Sequence, residues 1–145
     1  MSELLTVFSL KLSEENVVKI TDVGASKEAG YITGTFAGSP AYMAPEVLKS
    51  QVYSGKVDIY SLGIMLWELW YGERAFAKIE SVSLEDFFRM VDNGGRPEHV
   101  KGCREPTQAW GNLMKECWRK KHKDRPSAND HECHKSFTAE LVRVS

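Results

Sequence analysis

The sequence predicts a mainly α-helical protein in which several helices pack around one buried central helix. Three observations lead to this fold class. Residues 57–71 are apolar on almost every face, which is typical of a helix surrounded by others. Segments further along the chain place apolar residues at helical spacing, and only one short stretch has the pattern of a strand. The length of 145 residues suits one domain with a buried core.

Composition and charge exclude several classes of protein. The net charge of −1 gives no reason to expect nucleic acid as a partner. Three scattered cysteines do not make a disulfide framework, so we expect a reducing compartment and a cytoplasmic location. No signal peptide is recognisable, and residues 57–71 fall short of the ~20 apolar residues that span a bilayer.

The elements are predicted in order along the chain. Residues 17–21 are mostly β-branched and form the predicted strand, which ends at Asp22. A long loop rich in glycine and hydroxyl side chains follows, and loops of this length inside a domain are usually functional. Pro45 starts a short helix that ends at residue 48 or 49, and the central helix follows it.

Three more helices are predicted after the central one. Ser83 and Asp86 form a capping box for a helix that ends near residue 93. Thr107 opens another helix, whose apolar face carries Trp110, Leu113, Met114, Cys117 and Trp118. Ser127 and Asp130 cap a last helix. The four tryptophans (Trp67, Trp70, Trp110 and Trp118) are interpreted as core aromatics.

Asp22-Val23-Gly24 follows the strand, and Ala44-Pro45-Glu46 comes twenty residues later. In this order and at this separation, the two motifs resemble the activation segment of a protein kinase. The order of helices after residue 46 is also similar to the C-terminal lobe of that family, and the resemblance covers residues 14–142. It implies that residues 1–145 are part of a kinase domain, with residues 22–46 as the activation segment.

The resemblance implies roles for individual residues. Asp22 occupies the position of a magnesium ligand on nucleotide phosphates, and Ser39 and Pro40 lie in the loop that binds the protein substrate. Glu46 is expected to pair with Arg125. Asp58 corresponds to the aspartate at the start of the central helix, which in the family holds the backbone of the catalytic loop in place.

Four hydroxyl side chains of the predicted activation loop are candidate phosphorylation sites. A phosphate in such a loop orders it by pairing with arginine. In the family that arginine often belongs to the catalytic loop, so an unmodified loop stays the alternative. The candidates are Ser26, Tyr31, Thr33 and Thr35.

The resemblance also narrows the branch of the family. Residues 38–42, Gly-Ser-Pro-Ala-Tyr, resemble the substrate loop of serine/threonine kinases, whereas residues 95–97, Gly-Arg-Pro, look like the tyrosine-kinase-like group. The mixture is most similar to tyrosine-kinase-like serine/threonine kinases or to the dual serine/threonine and tyrosine protein kinase. The partners implied are protein substrates or other kinases, and the implied cofactors are ATP and Mg.

Departures from the family pattern concern catalysis. Val23 replaces the usual phenylalanine, and residues 1–21 contain no Asp, His or Arg that could belong to a catalytic loop. The Gly-rich loop and the phosphate-binding lysine are likewise not found. We therefore expect no ATP or Mg bound by this chain alone and no catalysis. The alternative to a fragment of an enzyme is a non-catalytic interaction module derived from a kinase.

Two further expectations follow from the sequence. His131, Cys133 and His134 lack the repeating spacing of a zinc site, so we favour a structural role for them. The central helix is built to be covered on all sides. Without the upstream elements of the family, part of its apolar surface should remain exposed.

Overall fold

The computed structural model describes residues 9–12, 18–21, 40–49, 52–77 and 81–127, and these residues are mainly helical. The predicted loop over residues 22–39 and the helix predicted after Ser127 lie outside the described residues. The predicted fold class is confirmed, with short strands first and helices packed around a central one afterwards.

Two short strands form an antiparallel pair. Strand β1 is Ser9–Leu12 and strand β2 is Val18–Thr21, with Ser9 opposite Thr21 and Leu12 opposite Val18. Strand β2 matches the predicted strand, whereas the sequence pattern did not single out β1. The four residues of β1 alternate between polar and apolar, a signal too short to separate from a loop.

Four α-helices follow the strands within the described residues. They are α1 (Pro45–Leu48), α2 (Lys56–Tyr71), α3 (Leu84–Asp92) and α4 (Gln108–Cys117), with 3-10 turns at Pro40–Tyr42 and His122–Asp124. The predicted caps are present. The Ser83 side chain accepts a hydrogen bond from the Asp86 N–H, and that of Thr107 accepts one from the Trp110 N–H.

Helix α4 packs closely against α2 at Gly63. A Cβ atom at this position would lie 2.9 Å from Cys117 Cβ and 3.2 Å from the Met114 carbonyl oxygen. The two helix backbones approach this closely only because residue 63 has no side chain. Around the contact, Tyr60, Ile64 and other side chains of α2 are fully buried.

One face of α2 is less covered than the others. Asp58, Leu62, Met65 and Leu69 follow one another at intervals of three or four residues and so share a face. The first three are partly exposed, and Leu69 is 48% exposed. The apolar sequence of α2 is thus matched by burial around most of the helix, but not on this face. No helix in the described ranges is long and apolar enough to cross a membrane.

Hydrogen bonds from indole nitrogens connect the loop after α3 to α2. Trp67 Nε1 donates to the Glu98 carbonyl oxygen at 3.1 Å, and Trp70 Nε1 donates to that of Arg104 at 2.9 Å. Trp110 Nε1 of α4 donates to the Leu66 carbonyl oxygen at 3.1 Å. Each tryptophan therefore combines an apolar contact with a polar link, which fixes how the loop and α4 lie on α2.

Candidate functional site

The candidate site is the segment from Pro40 to Lys49, which joins a 3-10 turn to helix α1. The Met43 N–H donates to the Pro40 carbonyl oxygen at 3.1 Å and closes the turn. Pro45 at the start of α1 needs no hydrogen-bond partner for its nitrogen, so the helix can begin at once. Met43 and Ala44 are buried, which anchors the segment in the core.

Glu46 of α1 forms a buried, bidentate ion pair with Arg125. Arg125 Nη1 donates to Glu46 Oε1 at 2.6 Å, and Nη2 donates to Oε2 at 2.8 Å. The Arg125 side chain is fully buried and that of Glu46 is 8% exposed. The structure thus brings together the two residues whose pairing the family resemblance implied. A planar guanidinium matches a carboxylate in this way, whereas a lysine could not.

The rest of the Arg125 guanidinium is occupied by backbone oxygens. Nε donates to the Arg119 carbonyl oxygen at 2.8 Å, and the terminal nitrogens donate to those of Lys56 and Lys120. The Lys56 ammonium in turn donates to the carbonyl oxygens of Arg125 and Pro126. These bonds compensate the charge for its loss of water and fasten the chain around residue 125 to the start of α2.

Tyr60 of α2 lies between two arginines. The guanidinium carbons of Arg96 and Arg125 are 5.0 and 5.1 Å from the centre of its ring. Burial is the main reason why the pKa of Tyr60 is raised, to about 12. Burial also lowers the pKa of Arg96. Sequence reasoning did not find this stack, because residues 60, 96 and 125 carry no common motif.

Tyr42, in the turn before α1, is fixed to α2 by both its backbone and its side chain. Its hydroxyl donates to Glu68 Oε2 at 2.7 Å, and its carbonyl oxygen accepts from Ser61 Oγ at 2.9 Å. Glu68 Oε1 accepts from the Ala75 N–H at 2.8 Å. Partial burial, followed by the bond to Glu68, raises the pKa of Tyr42 to about 12. No sequence motif indicated Glu68 or Ser61 as the partners of Tyr42.

Asp58 lies in the first turn of α2 and is half-buried. Burial raises the pKa of its carboxyl group. Among the residues that the structure describes, none forms a hydrogen bond or an ion pair with its side chain. The first turn of a helix favours a negative charge, but it does not replace the water that burial removes.

The remaining predicted site residues lie outside the described part of the chain. These are Asp22, Ser39 and the candidate phosphorylation sites Ser26, Tyr31, Thr33 and Thr35; of the predicted substrate loop, the structure describes Pro40. His131, Cys133 and His134 are outside as well. Within the described ranges, no group of three or more His, Cys, Asp or Glu side chains could hold a metal ion. The anchored segment is therefore the part of the candidate site whose geometry is defined.

Comparisons with known proteins agree with the resemblance. A family model described as "Protein kinase domain" matches residues 10–137. Mitogen-activated protein kinase kinase kinase 12 of Rattus norvegicus is 34% identical over 121 residues, which are 82% of this chain and 13% of that protein. Mitogen-activated protein kinase kinase kinase 13 of Homo sapiens is 35% identical over 118 residues, which are 80% of this chain and 12% of that protein.

A third relative is named for an RGS domain as well as for a kinase activity. RGS domain-containing serine/threonine-protein kinase A of Dictyostelium discoideum is 34% identical over 124 residues, 85% of this chain and 10% of that protein. The chain thus corresponds to 10–13% of the length of these three relatives. The family match over most of the chain, together with these identities, shows that the chain belongs to the protein kinase family.

Proposed function

We propose that this chain supplies the helical C-terminal lobe of a protein kinase that transfers the γ-phosphate of ATP to serine or threonine hydroxyls of proteins. The observation that carries the proposal is the anchorage of residues 40–46. Tyr42 is bonded to Glu68 and Ser61, and Glu46 is bonded to Arg125. A loop held at both ends in this way can present a fixed surface to a protein substrate.

The proposed roles of individual residues follow the family pattern. Asp22 would hold Mg on the nucleotide phosphates, and Ser39 with Pro40 would contact the substrate. Asp58 would accept hydrogen bonds from the backbone of a catalytic loop. Its half-buried carboxyl group fits that role, because such a position needs a donor that the described residues do not provide.

We also propose that residues 1–145 alone do not catalyse phosphoryl transfer. Catalysis of this reaction depends on positioning the nucleotide and neutralising its charge, and it needs a base for the substrate hydroxyl. Residues 1–21 contain no Asp, His or Arg for these tasks. With MgATP added to the chain, no rise in melting temperature is expected, since a ligand stabilises only a protein that binds it. We propose a cytoplasmic location for the chain.

A chimeric kinase tests the proposed function. Residues 10–137 would replace the matching segment of the kinase domain of human mitogen-activated protein kinase kinase kinase 13. The rest of that domain contributes the Gly-rich loop, the phosphate-binding lysine and the catalytic loop. We expect the chimera to phosphorylate serine and threonine peptides and to do so far more slowly on tyrosine peptides. Radiolabelled phosphate transfer from ATP measures both rates. A folded chimera without activity would contradict the proposal.

Two variants of the chimera separate chemistry from folding. Asp22→Asn should abolish transfer with the melting temperature unchanged, because it removes the proposed Mg ligand. Asp124→Asn is the matched control, since this exposed aspartate should leave both transfer and stability as they were. Equal activity of the Asp22→Asn variant and the unchanged chimera would exclude the proposed role of Asp22.

A non-catalytic interaction module is the second candidate function. The observation in its favour is the same lack of catalytic side chains in residues 1–21. The module would bind partners through the helical surface without a nucleotide. An inactive but folded chimera, combined with retained binding of partner proteins by the 145-residue chain, would favour this second function over the first.

A further inference from the structure

A cavity of about 550 Å3 lies beside α1. Its walls are formed by Pro45 and Glu46 of α1 and by Lys49, the C-cap of that helix. Asp92 at the end of α3 and residues 120–124 complete them. We call it the lysine pocket. It does not involve the proposed metal ligand or the substrate loop, so its role is independent of the proposed catalysis.

Positive charge predominates in the lysine pocket. Lys49, Lys120, Lys121 and Lys123 face three carboxylates, those of Glu46, Asp92 and Asp124. The charge of Glu46 is already neutralised by Arg125, which donates to both of its oxygens. The pocket therefore carries an excess of positive charge, although the whole chain has a net charge of −1. This local excess favours a small or single anionic group over a long polyanion.

Asp92 shows that the ammonium groups of the pocket converge on an anionic oxygen. Its Oδ1 atom lies 2.8 Å from Lys49 Nζ and 3.5 Å from Lys120 Nζ. These lysines, with Lys49 as the largest effect, lower the pKa of the Asp92 carboxyl group. Two of the four lysines thus hold an acceptor that belongs to the protein.

The other two lysines remain for an external anion. Lys121 and Lys123 are exposed, and neither forms an ion pair with another residue of the described ranges. A phosphate monoester has close to two negative charges and three acceptor oxygens, so it can contact several ammonium groups at once. A carboxylate side chain offers one charge and only two oxygens.

We propose that the lysine pocket binds a phosphorylated serine or threonine in an acidic segment of a partner protein. The phosphate would contact Lys121 and Lys123, and the excess positive charge of the pocket would attract the flanking carboxylates. The cavity is large enough for one modified side chain and its neighbours. Because Glu46 and the 120–124 segment also hold Arg125, an occupant would lie directly behind the anchored end of the activation segment.

Fluorescence polarisation with a defined probe tests the proposal on the 145-residue chain. The probe is a fluorescein-labelled seven-residue peptide with one phosphoserine between glutamates, and the same peptide with serine is its control. We expect the phosphopeptide to bind at least about tenfold more tightly at low salt, since charge-assisted contacts of this kind are worth about that factor. Binding should weaken between 50 and 200 mM salt because exposed charges are screened.

Charge reversal assigns the binding to the pocket. Lys121→Glu with Lys123→Glu should weaken phosphopeptide binding at least about tenfold. Lys101→Glu with Lys115→Glu changes the net charge equally at exposed positions outside the pocket and should have little effect. Melting temperatures check that both variants fold. If the reversal lowers stability, Lys121→Ala with Lys123→Ala replaces it.

Three results would overturn the proposal. The first is equal binding of the phosphorylated and unphosphorylated peptides. The second is equal binding by the unchanged chain and the pocket variant. The third is preferential binding of phosphatidylserine vesicles or of double-stranded DNA over the phosphopeptide, which would assign the lysines to a membrane or to nucleic acid.

Discussion

Two carboxylates lie near the start of α2 and are held in opposite ways. Glu46 is buried, and Arg125 donates to both of its oxygens. Asp58 is half-buried in the first turn of α2, without a polar partner among the described residues, and its pKa is raised by burial. The first carboxylate has its complement about 80 residues later in the same chain; the second has none in the part that the structure describes.

The contrast extends to the two sides of α2. The side that includes Gly63 and Ile64 packs against α4 without space for a further methyl group. The side that begins at Asp58 continues through partly exposed Met65 to Leu69, which is 48% exposed. The segment that ends at Glu46 is thus stabilised from within the chain, whereas the Asp58 face has no polar partner among the described residues.

Removing the partner of Glu46 should give the largest effect. Arg125→Leu leaves a buried carboxylate uncompensated and should lower the free energy of unfolding by about 3–5 kcal/mol. Urea unfolding followed by circular dichroism measures the change. The double variant with Glu46→Leu should recover part of the loss, because no unpaired charge then remains. A loss below 1 kcal/mol in the single variant would show that Glu46 reaches water.

Much of this organisation follows from sequence pattern. The helix boundaries were predicted to within a few residues, because caps such as Ser83 and Thr107 and apolar spacing are local signals. Pairing of Glu46 with Arg125 was implied only by resemblance to a family, since no local pattern connects residues so far apart. Local rules thus predicted the elements, and the resemblance predicted how two of them meet.

Neither local sequence patterns nor the resemblance to a family predicted the other contacts of the site. The bond from Tyr42 to Glu68 and the stack of Tyr60 between two arginines depend on the angle at which segments cross. An apolar helix sequence likewise does not say which side stays open, because burial depends on neighbours. The sequence led us to expect that part of the apolar surface of α2 remains exposed, but it did not indicate which part; in the structure Leu69 is 48% exposed.

Substitutions on the packed side of α2 should destabilise the protein more than substitutions on its open side. Gly63→Ala places a methyl group 2.9 Å from Cys117 Cβ and should cost about 1–3 kcal/mol of unfolding free energy. Leu69→Ala on the open face is the comparison, and its cost should be below about 1 kcal/mol because the side chain is half exposed. Equal costs in thermal unfolding would contradict the distinction between the two sides.

Breaking the bond between Tyr42 and Glu68 should give a smaller effect. Tyr42→Phe removes a 2.7 Å hydrogen bond to a carboxylate and should cost about 1 kcal/mol. Tyr53→Phe is the matched control, since the Tyr53 hydroxyl has no hydrogen bond to another residue of the described ranges. In the active chimera, only Tyr42→Phe should raise KM for the peptide substrate. A higher KM would indicate that the hydrogen bond between Tyr42 and Glu68 positions the proposed substrate loop.

Asp58→Asn should have the smallest effect and the opposite sign. The raised pKa of Asp58 means that the folded chain binds its proton more tightly than the unfolded chain does. Stability from this group is therefore lost as the pH rises above the ordinary value of 3.8 and through the raised pKa. At pH 7 the variant with the neutral asparagine should therefore be slightly more stable than the unchanged chain.

The pH dependence separates this explanation from a change in packing. Below about pH 3.8 the aspartic acid is protonated in both states, so the advantage of Asp58→Asn should disappear there. Asp92→Asn should behave in the opposite way, because lysines lower the pKa of Asp92 and its charge is stabilising at neutral pH. Melting curves of the three proteins between pH 3 and 8 measure both trends. If Asp58→Asn instead loses stability at pH 7, the carboxylate accepts hydrogen bonds within the chain, and the contrast with Glu46 fails.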